Sequence, residues 1–163
     1  MLLIRCTLFL TLTIIFIQDF KDRAVWLFLF PLFAGLGCYL FFEQTIWEIF
    51  SLTILINLAF VGIIFLLNYL VATYVLKKKF LKEAFGLGDV LFIIAFSLSF
   101  PTISFINFFV FSLLFTIVLH FLLKKMKTTP HYNSVPLAGA MSLFLMAVYI
   151  SHWLGWFNNV YVI

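Results

Sequence analysis

Charge is scarce in this chain: 10% of its 163 residues are Asp, Glu, Lys or Arg, against about 25% in an average globular domain. A surface solvated on all sides cannot be built from so few. With 66% hydrophobic residues and a mean hydropathy of +1.23, the sequence describes an all-α polytopic membrane protein. The ten basic and six acidic residues leave a formal charge of +4, but they stand in short clusters between apolar runs. Such clusters mark topology and do not form a nucleic-acid surface, so the partner implied is the lipid bilayer.

Cysteine is nearly absent. Cys6 and Cys38 both fall inside apolar segments, which excludes a zinc ribbon or a disulfide framework and predicts buried free thiols. No Pro/Ser-rich linker or low-complexity tail interrupts the chain, so residues 1–163 read as a single transmembrane domain. No His-Glu-x-x-His helix exists for zinc, and His120, His131 and His152 are scattered. No Gly-x-Ser-x-Gly setting or phosphate-cradling loop is present either. The 24 phenylalanines cover lipid-facing and packing surfaces, and no metal or other cofactor is implied.

Apolar runs predict six helical spans near 2–18, 24–42, 50–76, 88–101, 103–123 and 135–155. Most reach the length of about 17–20 residues that a hydrocarbon core of about 30 Å requires. Met1 to Ile17, with Arg5, resembles a secretory signal, but Asp19-Phe20-Lys21-Asp22-Arg23 follows it in place of a small-residue cleavage site. A retained first span is expected. Residues 89–123 carry no charge to mark a turn, and as one helix they would extend about 52 Å. Pro101 supplies the break, because proline disfavours helix through itself and the residue before it.

The charges bear on the span count separately. With six spans, the loops after the first, third and fifth share one side and hold nine of the ten basic residues. The positive-inside rule makes that side cytoplasmic and places both termini outside the inner membrane. Merging the fourth and fifth spans would put Lys124 to Lys127 opposite Lys77 to Lys82 and erase the asymmetry. Arg5 is the exception, at the far end of its span, where it can snorkel outward.

Six acids remain to be sorted by depth. Glu43 and Glu48 flank an external loop with Trp47 and read as solvated boundary residues, and Asp22 lies between Lys21 and Arg23. Asp19 and Asp89 differ, because each stands where an apolar run meets the cytoplasmic edge, and a carboxylate entering a bilayer is costly unless it has a use. Asp19 also reads as a simple helix-end marker. Gly86 and Gly88 frame Asp89; they either begin the fourth span or clear space for an extended substrate backbone, with backbone angles closed to other residues. Two carboxylates within a few ångströms do not both ionise comfortably, so one keeps a proton while the other acts as base. That is the chemistry of an aspartic peptidase.

Phe85-Gly86-Leu87-Gly88-Asp89 resembles the Gly-x-Gly-Asp motif of intramembrane aspartyl peptidases, and the arrangement is most similar to type IV prepilin peptidases and archaeal preflagellin peptidases. Asp19-Phe20-Lys21-Asp22-Arg23-Ala24-Val25 resembles that family's first aspartate motif. Glu83 precedes Gly86 by three, and Val135-Pro136-Leu137-Ala138-Gly139-Ala140 is similar to the proline-containing final segment. The resemblance implies that Asp19 and Asp89 are the catalytic pair and that the substrate is the basic leader of a pilin-like or pseudopilin precursor. Gly86 and Gly88 then read as substrate-backbone contacts, and acidic Glu83 reads either as a contact for that leader, opposed by Lys77 to Lys82, or as a solvated loop residue. The chain departs from the family at Trp26, where proline is usual, and at Leu91, where lysine is common. The cysteine-bearing insertion linked to N-methylation is missing, so no methyltransferase activity is expected. Presenilin and signal peptide peptidase share Gly-x-Gly-Asp but carry a tyrosine where this chain has Gln18. A rival class is a non-enzymatic membrane component that uses its acids for proton or ion coupling, and a third is an inactive scaffold of the same fold.

Overall fold

The computed structural model describes residues 1–75, 86–125, 136–156 and 160–161. The described residues form six α-helices: α1 (Leu2–Lys21), α2 (Leu29–Phe42), α3 (Trp47–Leu70), α4 (Leu87–Ser97), α5 (Thr102–Lys125) and α6 (Leu137–Trp153). A π-helical turn, Val71–Val75, continues α3. Three stretches, Leu2–Lys21, Trp47–Tyr74 and Thr102–Lys125, are long and apolar enough to cross a membrane. The other three helices are apolar but shorter, at 14, 11 and 17 residues. The protein is therefore an all-α, polytopic membrane protein.

Two boundaries differ from the sequence reading. The first helix runs on to Lys21, and the second starts at Leu29, not near residue 24. Arg23 takes a left-handed backbone (φ 55°), a conformation that helix cannot continue through, and residues 24–28 form the connection. The Trp26 amide donates to Gln18 Oε1 at 3.0 Å and so ties this connection back to α1. A proline at position 26 has no N–H to make that bond, which is a physical account of one departure from the family pattern.

The break between α4 and α5 falls where Pro101 required it. The carbonyls that lose helical partners there are not left bare: Asn57, fully buried on α3, donates its Nδ2 to Ser97 O (2.8 Å) and Phe100 O (2.9 Å). In a bilayer, freed backbone groups must be satisfied within the protein, and Asn57 does this from a neighbouring helix. Its Oδ1 meets no partner among the described residues. Gly37 of α2 lets the same turn pack closely, since a Cβ at that position would come 2.7 Å from Ser99 Cβ.

The core is aromatic and aliphatic. Phe33 and Phe92 stack between α2 and α4, while Phe96 meets Phe105 edge-to-face between α4 and α5. Such pairs contribute about 0.5–1.5 kcal/mol each beyond area burial. Tight α1–α6 packing buries Leu8, Leu12, Ile15, Met141 and Leu145. Cys38 is partly buried, whereas Cys6 is exposed on the outer face of α1; this corrects the expectation of two buried thiols. Both are free.

Candidate functional site

Asp19 stands in the last turn of α1 and Asp89 in the first turn of α4. The start of α6 brings them together. Pro136 precedes α6 and Ala138 and Gly139 lie in its first turn, where amides have no partner within the helix. The Gly139 amide donates to Asp19 Oδ2 at 2.6 Å, and the Ala138 amide donates to Asp89 Oδ1 at 3.1 Å. Carboxyl groups from residues seventy positions apart thus sit on consecutive amides of one helix, whose Cα atoms are about 3.8 Å apart. They are close enough for the charge of Asp19 to act on Asp89.

The electrostatics of the pair follow from the helix ends. The positive ends of α4 and α6 both point at it, and each suits an anion. Asp89 occupies the third position of its helix, from which it reaches back toward the Gly86 amide. Arg23, held in its left-handed conformation just beyond α1, acts electrostatically on both carboxylates. Asp19 is buried, 9% exposed, and Asp89 is half-buried.

The glycines have different surroundings. A Cβ on Gly86 would lie 3.1 Å from Asp89 Oδ2, the oxygen that Ala138 does not hold, so the missing side chain keeps that oxygen approachable. Gly88 faces Phe30 of α2, where a Cβ would make ordinary contact at 3.5 Å. Gly86 has φ −71°, and Gly155 is the glycine with positive φ among the described residues, so the expectation of special backbone angles around Asp89 is not met. Gly139 is the tightest of the site: a Cβ would come 2.9 Å from Phe20 Cδ2 and 3.0 Å from both Asp19 Cβ and Oδ2.

Trp26, Leu27, Phe28, Pro31, Leu87 and Leu91 line an apolar groove of 1050 Å³; Leu87 and Leu91 are one turn apart on α4, two residues either side of Asp89, and so lie on a face turned away from its carboxyl group. Glu43 and Glu48 are exposed, and Asp22 is an exposed cap on the last turn of α1, as boundary residues. Glu83, Phe85, His131 and Val135 lie outside the described residues. Among the described residues no cluster of His, Cys, Asp and Glu could hold a metal ion. Reading side chains did not single out the two amides that join the aspartates, because a backbone N–H has no residue-type signature. The available signal was Pro136 opening a helix with small residues behind it.

Comparison of the chain with models of known families, with curated proteins and with solved structures gives no match.

Proposed function

We propose that this protein is a membrane-embedded aspartic endopeptidase in which Asp19 and Asp89 form the catalytic pair. The observation that carries the reading is the seating of both carboxylates on the consecutive amides of Ala138 and Gly139. Asp19 Oδ1 and Asp89 Oδ2 lie outside those two bonds, and Asp89 also draws on the Gly86 amide. In the proposed reaction one aspartate is ionised and takes a proton from water, while its protonated neighbour polarises the scissile carbonyl. Water oxygen adds to that carbonyl carbon, and the peptide C–N bond breaks as the leaving nitrogen gains a proton. Neither step calls for a cofactor.

The substrate we propose is a pilin-like or pseudopilin precursor, cut between its short basic leader and its hydrophobic helix. The groove from Trp26 to Leu91 offers an apolar surface to a hydrophobic helix. In this reading the chain crosses the inner membrane six times with both termini outside, which puts the pair at the cytoplasmic face. Glu83 remains a proposed leader contact and Gly86 and Gly88 proposed substrate-backbone contacts, and N-methylation is not part of the activity.

The test is mass spectrometry of a co-expressed precursor in membranes containing wild-type protein, Asp19→Asn or Asp89→Asn. Cleavage confined to the wild type supports the reading, and cleavage by either variant at the wild-type rate ends it. Loss of proton or ion coupling in the same variants, with no processed precursor in the wild type, would establish the rival class.

A further inference from the structure

We propose that the groove between the start of α1 and the end of α6 binds an anionic glycerophospholipid, with the phosphate on Arg5 and an acyl chain along Phe9, Leu10 and Ile150. This site is independent of the peptidase reading. Arg5 lies fourteen residues before Asp19, about 21 Å along α1, at the opposite end of the helix pair.

Arg5 is the unsettled feature there. Its Nε is sealed from solvent and meets no hydrogen-bond partner among the described residues. The guanidinium carbon stands 5.8 Å from the Trp153 ring centroid, and Tyr161 lies within electrostatic reach of both Arg5 and Glu43. An aromatic face attracts a cation but accepts none of its in-plane N–H bonds. An arginine at the edge of a bilayer stays charged, and a buried donor without an acceptor is costly. The sealed Nε is out of a ligand's reach, so a groove ligand meets the charge through the other guanidinium nitrogens, and phosphate, an anion with several oxygens, matches these.

The remaining groove specifies a tail. It has a volume of 790 Å³, within the range of about 300–1,000 Å³ typical of ligand sites. Its floor extends from Arg5 to Thr13, about 12 Å along the helix. Thr13 turns its hydroxyl to Phe9 O at 2.8 Å and to Met146 Sδ at 3.3 Å, so its hydrogen is committed within the protein and is not offered to an anion. Leu2, Leu3 and Leu10 are exposed on the outer side of the helix, so the groove opens toward lipid. A free phosphate would satisfy Arg5 and leave the apolar floor bare. A zwitterionic lipid would fill the floor but bring its own cation to the phosphate. An anionic phospholipid answers both demands.

The experiment is native mass spectrometry of the full chain titrated with phosphatidylglycerol or phosphatidylcholine, with thermal unfolding in inorganic phosphate as a third arm. Wild type is expected to retain one phosphatidylglycerol about fivefold better than phosphatidylcholine, the factor one basic residue contributes at an anionic membrane surface. Arg5→Gln should abolish the preference at unchanged helix content, and Arg5→Lys should keep part of it. Leu10→Trp, which obstructs the floor while sparing the charge, should weaken retention of both lipids and carries the test if Arg5→Gln does not fold. Equal retention of the two lipids by wild type, a preference that survives Arg5→Gln, or retention untouched by Leu10→Trp would overturn the assignment. So would stabilisation by inorganic phosphate as large as that by phosphatidylglycerol, which would mean an anion site without a lipid.

Discussion

Two polar clusters lie against helix ends in this protein, and they use those ends in opposite ways. At one end of α4, Asn57 offers the hydrogens of its amide nitrogen to the carbonyls of Ser97 and Phe100. At the other end, Asp19 and Asp89 take the amides that open α6. The first cluster is neutral, and its donor capacity is spent on backbone that Pro101 disrupted. The second is acidic and keeps an oxygen on each carboxyl group outside those bonds. Polar side chains in a bilayer are retained for structure or for chemistry, and charge separates these two clusters: a neutral amide serves the backbone, whereas two carboxyl groups are brought to one helix start.

That contrast predicts opposite outcomes. Asp89→Asn keeps the shape and one acceptor oxygen, so the unfolding midpoint of the purified protein should hardly move. Cleavage of a precursor should fall by about 10²–10⁴-fold, the usual contribution of a positioned acid or base. Asn57→Leu should do the reverse at the level of the fold. It leaves two carbonyls without their donor and should cost about 1–3 kcal/mol, read by denaturant or thermal unfolding in detergent. If Asn57→Leu is neutral, or Asp89→Asn unfolds the protein as readily, the distinction between a structural and a chemical cluster fails.

Much of this was legible in the sequence, for identifiable reasons. Pro101 announced a helix break because its ring forbids one conformation whatever surrounds it. Asp19 and Asp89 stood out because charge is expensive at their depth. Asn57 carried a similar signal, a side-chain amide in the middle of the apolar run of α3, but only the fold reveals that the carbonyls freed near Pro101 are its partners. The start of α2 was misplaced because composition cannot show that Arg23 turns left-handed and that the Trp26 amide binds Gln18. That the aspartates form a pair was an expectation from the resemblance alone, and the amides that join them were not readable, since a main-chain N–H has no residue-type signature.

Gly139→Ala tests the meeting point itself. Its new methyl group would press on Phe20 and on Asp19, both fixed by the last turn of α1. Overpacking of this kind costs about 1–3 kcal/mol, and here the relief available is displacement of the Asp19 carboxyl from its amide. Cysteines placed at positions 19 and 89 are expected to crosslink in the arrangement described. Adding Gly139→Ala to that pair should slow crosslinking. Unchanged crosslinking would mean that Phe20 alone gives way.

The smallest effects are expected at the two glycines around Asp89, and they should differ from each other. Gly88→Ala meets only ordinary contact with Phe30, and alanine is the better helix former, so stability should stay level or rise by up to about 1 kcal/mol. Gly86→Ala places its methyl group 3.1 Å from Asp89 Oδ2 and crowds the oxygen that Ala138 does not hold. Its effect should appear in the cleavage rate while the unfolding midpoint stays near wild type. Equal loss of cleavage in both variants would show that the glycines act through substrate passage along the helix start; loss confined to Gly86→Ala would locate their role at the carboxyl oxygen, where the structural difference between the two positions lies.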